Sequence, residues 1–155
     1  MTKCVLFVCL GNICRSPTAE AVMRHIISQA GTTSQWLVDS CGTAGYHLGG
    51  APDERAQAEL AKHGITTMHR GRQLCKDDFK KFDYIFGMDE ENFRNIKSLA
   101  PADNRAVLGL LGEYDKQGGK IIDDPYYGGE ADFEEVYQKC LRCCQEFYRQ
   151  ASRDN

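Results

Sequence analysis

No apolar run in this chain of 155 residues approaches the roughly 20 residues of a membrane-spanning helix, so helical insertion into a bilayer is excluded. Positive charge is not in excess either. Nineteen Lys and Arg face 22 Asp and Glu, a formal net charge of −3, which argues against general binding to nucleic acid or to an anionic membrane surface. The N-terminus lacks the pattern of an export signal: Lys3 is the only early cation, and the apolar run behind it is short. Repeats, low-complexity tracts and linkers are absent too. The length therefore predicts one domain over residues 1–155, large enough to bury a proper core.

Cysteine, by contrast, is abundant. Eight cysteines in an exported chain would predict a disulfide framework; without an export signal they predict free thiols and a cytoplasmic protein. Cys140-x-x-Cys143 has the spacing of half a zinc site, but no second Cys or His pair at ligand spacing accompanies it. Cys140, Cys144 and Phe147 continue the helical stripe of Val136, so these thiols are expected in the core and no metal is expected on them. Cys4 and Cys41 fall in strand-like runs. Cys75 has no assigned role.

Apolar runs at 4–9, 36–41, 83–88 and 105–108 read as strands. They alternate with helical patterns at 17–30, 54–63, 90–98 and 133–150, with a short one near 76–81. This alternation predicts an α/β fold: a four-stranded parallel sheet of order 2-1-3-4 with helices on both faces. In such sheets ligands bind beyond the carboxyl ends of the strands. The loop after the first strand lies there.

That loop reads Cys9-Leu10-Gly11-Asn12-Ile13-Cys14-Arg15-Ser16. It links the run Cys4-Val5-Leu6-Phe7-Val8 to a helix opening at Pro17, which suits a first helical position. Five residues separate Cys9 from Arg15, a spacing that lets the loop curl into a cup with the thiol at its base and the guanidinium at its rim. Backbone N–H groups and the helix N-terminus make such a cup a seat for a tetrahedral oxyanion. A helix N-terminus and a neighbouring cation both favour a thiolate over a thiol. Arg15 offers a planar fork for two phosphate oxygens. Gly11 permits the tight turn, Asn12 can take a left-handed angle and hold the loop, and Ser16 can donate to the Cys9 sulfur. The chemistry predicted is phosphoryl transfer to cysteine, with Arg15 and the loop amides supplying the positive field and no cofactor required.

A second constellation, Asp123-Asp124-Pro125-Tyr126-Tyr127-Gly128-Gly129, stands far off in the chain. Thiolate attack expels an alkoxide or phenoxide, which leaves better when a carboxylic acid protonates it. Asp124 is held extended by Pro125 and fits that role, and the ionised group can then activate the water that hydrolyses the cysteinyl phosphate. Tyr126 and Tyr127 suit the wall of a slot for a flat leaving group. Taken alone, the segment also reads as an Asp-Pro and Gly-Gly surface turn.

Together these motifs resemble the low-molecular-weight protein tyrosine phosphatases, over almost the whole chain. The resemblance implies Cys9 as nucleophile, Arg15 as ligand of the phosphate and transition state, and Asp124 as general acid and then base. It implies that Leu10, Gly11, Asn12, Ile13, Cys14 and Ser16 shape the substrate loop, with Ser40 after the second strand supporting Asn12. Ile13, Tyr46, Tyr126 and Tyr127 would line the pocket, Tyr46 standing where several members carry another aromatic residue. His69 is similar to the family's loop-bracing histidine, and Met88-Asp89 to its acidic turn beside the loop. Phosphotyrosine proteins or small aryl phosphates would be substrates, with inorganic phosphate as product inhibitor.

Relatives acting on phosphoarginine carry a small polar residue where this chain has Ile13, whose apolar side chain suits an aromatic ester. A thioredoxin-linked arsenate reductase would share the Cys9 loop but needs two further cysteines in one mobile segment, where Cys75 stands alone. A phosphotyrosine-binding module without turnover would be expected to have lost Cys9, Arg15 or Asp124. Cys14 shares the curled loop with Cys9, so a reversible Cys9–Cys14 disulfide under peroxide is a further expectation.

Overall fold

Lys3–Cys9 form β1, and their side chains alternate between the two faces of the sheet as a strand requires. Val5, Phe7 and Cys9 enter one apolar cluster and Leu6 and Val8 the other, so both faces of the strand are buried. The computed structural model describes residues 2–153. Trp36–Gly42 form β2, Tyr84–Gly87 β3 and Val107–Leu110 β4. All pair in parallel, in the order β2-β1-β3-β4. This is the sheet expected from the alternation of apolar runs.

Among the described residues, five α-helices accompany it: α1 (Arg15–Gln29), α2 (Glu54–Ala61), α3 (Asp78–Lys81), α4 (Glu90–Leu99) and α5 (Glu130–Arg153). Helices α1 and α5 contribute Met23, Cys140, Cys144 and Phe147 to the cluster around Phe7 and Phe86. Phe79 of α3 and Ile96 of α4 pack with Leu6, Val8 and Ile85 on the opposite face. Cys140, Cys143 and Cys144 are buried, free thiols, as the helical stripe predicts.

Several boundaries differ from those read in the sequence. Strand β4 starts at Val107 rather than at 105, because the Asn104 side chain bonds both backbone groups of Ala106 and keeps that residue out of the ladder. Strand β3 stops at Gly87, since the Met88 N–H turns to the Asn92 Oδ1 in α4. Helix α1 begins at Arg15, which makes Pro17 its third residue rather than its first. The missing N–H is still without cost there, because the first turn has no intrahelical acceptor. Helix α5 extends three residues beyond the expected stretch at each end.

The register decides where the site lies. Cys9 pairs with Gly42, and Val8 with Gly87, so β1, β2 and β3 end at one edge of the sheet. The segments after β1, β2, β3 and β4 leave from that edge.

Candidate active site

From Cys9 the chain turns through Leu10–Cys14 and enters α1 at Arg15. The turn needs one left-handed residue, and Asn12 supplies it at φ 58°. This angle brings the Asn12 N–H to 3.3 Å from the Cys9 Sγ. The Ser16 Oγ stands 3.0 Å from the same sulfur. The first turn of α1 adds backbone N–H groups that have no intrahelical partner. Negative charge on the sulfur, or on an anion above it, therefore faces donors. The rest of the turn is tied to the strand beside it: Thr43 and Ala44 donate to the carbonyls of Cys9 and Leu10 at 2.9 and 3.0 Å. Gly42 makes this approach possible, because a Cβ there would lie 2.7 Å from the Leu10 carbonyl oxygen.

Behind the sulfur lies a buried polar network centred on Asn12. Its Nδ2 donates to Ser16 Oγ at 2.9 Å and to Ser40 Oγ at 3.1 Å. Its Oδ1 accepts from His69 Nε2 at 2.7 Å and from the Arg72 N–H at 3.1 Å. With Asn12 donating to it, Ser16 is left to donate toward Cys9. Ser40 lies within β2, not after it as expected, and donates to Glu20 Oε1 at 2.7 Å. Burial pushes the Glu20 carboxyl up, but His69, Ser40 and Arg24 outweigh it and bring it below the ordinary range.

Arg15 is anchored on one side only. Its Nη1 donates to Asp89 Oδ2 at 2.7 Å and to the Ile122 carbonyl at 3.0 Å. Asp89 is itself fixed as the N-cap of α4, where it shares a capping box with Asn92. The other terminal nitrogen, Nη2, lies 3.9 Å from Asp124 Oδ2. Burial works against the Arg15 charge, but the Cys9 sulfur, Asp89 and Asp124 outweigh it and hold the guanidinium charged. The Ile122 N–H donates to the Met88 carbonyl at 2.9 Å, so the end of β3 carries the Asp123-Asp124 segment to the loop.

Asp124 accepts the Tyr126 N–H through Oδ1 at 3.1 Å, an Asx turn that leaves Oδ2 toward Arg15. Tyr126 and Tyr127 meet edge to face, 4.9 Å between ring centroids. A cavity of about 260 Å³ opens between the two loops. Cys9, Leu10, Gly11, Ile13, Cys14 and Arg15 line one side, and Tyr46, Asp124, Tyr126 and Tyr127 the other. Asn12 and Ser16 sit behind the sulfur rather than on the cavity wall, together with Ser40 and His69.

Four residues escaped the sequence reading. His47 lines the cavity, its ring against Gly11. Arg55 donates to the carbonyls of Tyr126 at 2.9 Å and Gly128 at 3.4 Å and lies over the Tyr126 ring. Glu20 and Arg72 complete the network behind Asn12. Each is a charged or polar side chain in an ordinary amphipathic or loop context, so its partner far along the chain leaves no local signal. Asp53, the N-cap of α2, fixes Arg55 by accepting from its Nη2 at 3.0 Å.

Burial, then the negative charges of Asp53, Cys9 and Asp124, push the Cys14 thiol up to about 12. Cys143 is pushed up to about 12 by burial and Asp115, and burial also raises Cys140 and Cys144.

The chain is similar to known proteins over nearly its whole length. A human low molecular weight phosphotyrosine protein phosphatase is 51% identical over 152 residues, 97% of this chain and 96% of its own. The crystal structure of a protein tyrosine phosphatase from Entamoeba histolytica, with Hepes in its active site, superposes with a TM-score of 0.95 at 34% identity, covering 99% of each chain. That of the Drosophila arginine phosphatase gives 0.92 at 36% identity, over 97% of this chain and 99% of the other. The profile of the low molecular weight phosphotyrosine protein phosphatases matches residues 4–155, and the chain belongs to that family.

Proposed function

We propose that residues 1–155 act as one protein tyrosine phosphatase domain that hydrolyses phosphotyrosine and aryl phosphates through a cysteinyl phosphate. The observation that carries this reading is the placement of Cys9, Arg15 and Asp124 on one cavity, although 108 residues separate Arg15 from Asp124. The Cys9 thiolate attacks phosphorus in line as the P–O bond to the phenol breaks. Asp124 gives its proton to the departing oxygen, and Arg15 with the loop N–H groups holds the equatorial oxygens. Asp124, now ionised, takes a proton from water as that water attacks phosphorus. The P–S bond breaks, and thiolate and inorganic phosphate are released. Phosphate fits the same seat and so inhibits as product. Free thiols throughout the chain favour a reducing cytoplasm.

An aromatic substrate is favoured by what lines the cavity: Ile13 on one side and Tyr46, Tyr126 and Tyr127 on the other. The likeness to an arginine phosphatase makes this point testable, since the same fold serves both chemistries. Turnover of para-nitrophenyl phosphate and a phosphotyrosine peptide, set against a phosphoarginine peptide and arsenate with thioredoxin, checks it. The expected order puts both aryl esters at least tenfold above phosphoarginine in kcat/KM, with no arsenate reduction. Equal or higher turnover of phosphoarginine overturns the substrate reading, and no aryl ester turnover overturns the enzyme.

A further inference from the structure

We propose that Glu20, Asp39 and His69 form a binding site for one divalent transition-metal ion on the side of the phosphate loop away from the cavity. His69 Nδ1 lies 3.0 Å from Glu20 Oε1 and 3.6 Å from Asp39 Oδ1, and the three ligand atoms lie within 4.8 Å of one another. Metal–ligand bonds of about 2.0–2.2 Å in a tetrahedron place ligand atoms roughly 3.3–3.6 Å apart. The set therefore needs only small movements to close on an ion. One imidazole and two carboxylates suit zinc and its first-row neighbours.

The surroundings are those of a built site. The second oxygen of each carboxylate is already engaged. Arg24 Nε donates to Glu20 Oε2 at 2.8 Å, and Arg72 Nε to Asp39 Oδ2 at 2.9 Å. These bonds leave Asp39 Oδ1 and Glu20 Oε1 toward His69, the latter also accepting from Ser40 Oγ at 2.7 Å. Behind the ring, Nε2 meets the Asn12 Oδ1 at 2.7 Å, a carbonyl-type partner of the kind that orients a metal-bound histidine. Asn12 Oδ1 also accepts from the Arg72 N–H and cannot donate, so the ring proton toward Asn12 sits on Nε2. Nδ1 faces the carboxylate oxygens of Glu20 and Asp39, and an ion between them replaces the direct Nδ1–Glu20 contact. Access comes from a cavity of about 500 Å³ on this side, bordered by Glu20, Arg24, Asp39 and the 66–70 segment. The His69 and Glu20 side chains are 6% and 5% exposed, while that of Asp39 is 29% exposed at the opening. A fourth position is thus left for water. The two arginines reduce the negative charge of the site, which makes the ion exchangeable rather than permanent. Because His69 reaches Asn12, and Asn12 reaches Cys9, an ion here stiffens the phosphate loop from behind. The site stands independently of the proposed phosphatase chemistry.

The test titrates Zn²⁺ and Co²⁺ into the full chain carrying Cys9→Ser and Cys75→Ser, which removes the cavity sulfur and the exposed thiol as competing ligands. The expected result is one ion bound per chain, a cobalt spectrum without thiolate charge transfer, and a higher Tm with excess Zn²⁺. Adding Asp39→Asn is expected to weaken binding at least tenfold. Saturable binding that Asp39→Asn leaves unchanged, a thiolate band, or no binding at all overturns the proposal. Imidazole nitrogen resonances provide a readout that needs no ligand variant. Zn²⁺ is expected to shift Nδ1 of His69 and leave His25, His47 and His63 in place. An unmoved His69 overturns the site.

Discussion

The loop around Cys9 and the loop around Asp124 face each other across one cavity, yet they are built in opposite ways. Asn12, Arg15 and Ser16 are no more than 3% exposed and are held by side chains from β2, α4 and the 69–72 segment. Asp124 has a side chain 45% exposed, Tyr127 is 94% exposed, and the segment is held chiefly by its own turns and by Arg55. An oxyanion seat gains most from donors fixed before the substrate arrives, since they need no reorganisation during the reaction. A proton donor that must reach leaving groups of different shape gains from adjustability. The rigid half is thus suited to the phosphoryl group common to all substrates, and the looser half to the part that varies.

Cys9→Ser should produce the largest effect: loss of steady-state para-nitrophenyl phosphate turnover by at least about 10³-fold, with vanadate still bound. Retained vanadate binding shows that the seat survives without its nucleophile. Asp124→Ala should come next, with losses of roughly 10²-fold for phenyl phosphates whose leaving groups are poor. The loss should shrink as the phenol becomes more acidic. An equal drop across such a series would contradict proton donation by the exposed half.

Asn12→Gly tests the rigid half while keeping its left-handed backbone. It leaves Ser40 Oγ, His69 Nε2 and the Arg72 N–H short of a buried partner, at a cost of about 1–3 kcal/mol. A lower Tm by calorimetry and a reduced kcat are expected together. Arg55→Ala loosens the Tyr126–Gly128 backbone and removes the cation over the Tyr126 ring. A few-fold rise in KM for aryl esters is expected, with vanadate affinity unchanged. A larger effect on vanadate than on KM would remove the division of labour between the loops.

The last prediction concerns oxidation, outside the catalytic cycle. A Cys14 thiol pushed up to about 12 is almost wholly protonated at neutral pH and becomes the attacking thiolate only as pH rises. Closure of a Cys9–Cys14 disulfide after peroxide should therefore speed up by about tenfold per pH unit below that value. Part of the raised value comes from negative charge on Cys9, which is lost once its sulfur carries a neutral sulfenic acid, so the observed slope should persist to a somewhat lower pH. Peptide mapping of quenched samples reads the rate. Cys9 joined instead to exposed Cys75 would refute the pairing.

Several elements of the chain could be read locally because their physics is local. The run from Cys4 to Val8 followed by Gly11, Asn12, Arg15 and Pro17 predicts strand, anion loop and helix within a stretch whose parts touch each other. Alternating apolar runs carry the parallel sheet for a similar reason: the central strand β1 is buried on both faces, with helices packed over each. The cysteine stripe of α5 showed its core position by helical spacing alone. Strand β4 was misplaced because a single side chain, Asn104, competes for backbone groups that apolarity alone would assign to the ladder.

Glu20 illustrates the other limit. Its place in α1 reads as a solvent-facing helix residue paired with Arg24 four positions on, and nothing nearby in the chain suggests burial. Parallel pairing of β1 with β2 brings Ser40 over it, and the 66–70 segment then brings His69, so a surface glutamate becomes a buried link to Asn12. His47, Arg55, Arg72 and the Ile122 carbonyl enter the site by similar routes, from loops that meet because four strands end at one edge. The chain's local order was enough to single out Cys9, the loop that curls around it and the sheet, since spacing and periodicity act over a few residues. Which carboxylates anchor Arg15, what braces Asn12 and how the proton donor is held were settled by long-range packing, because burial and charge pairing depend on which distant segments the sheet brings together.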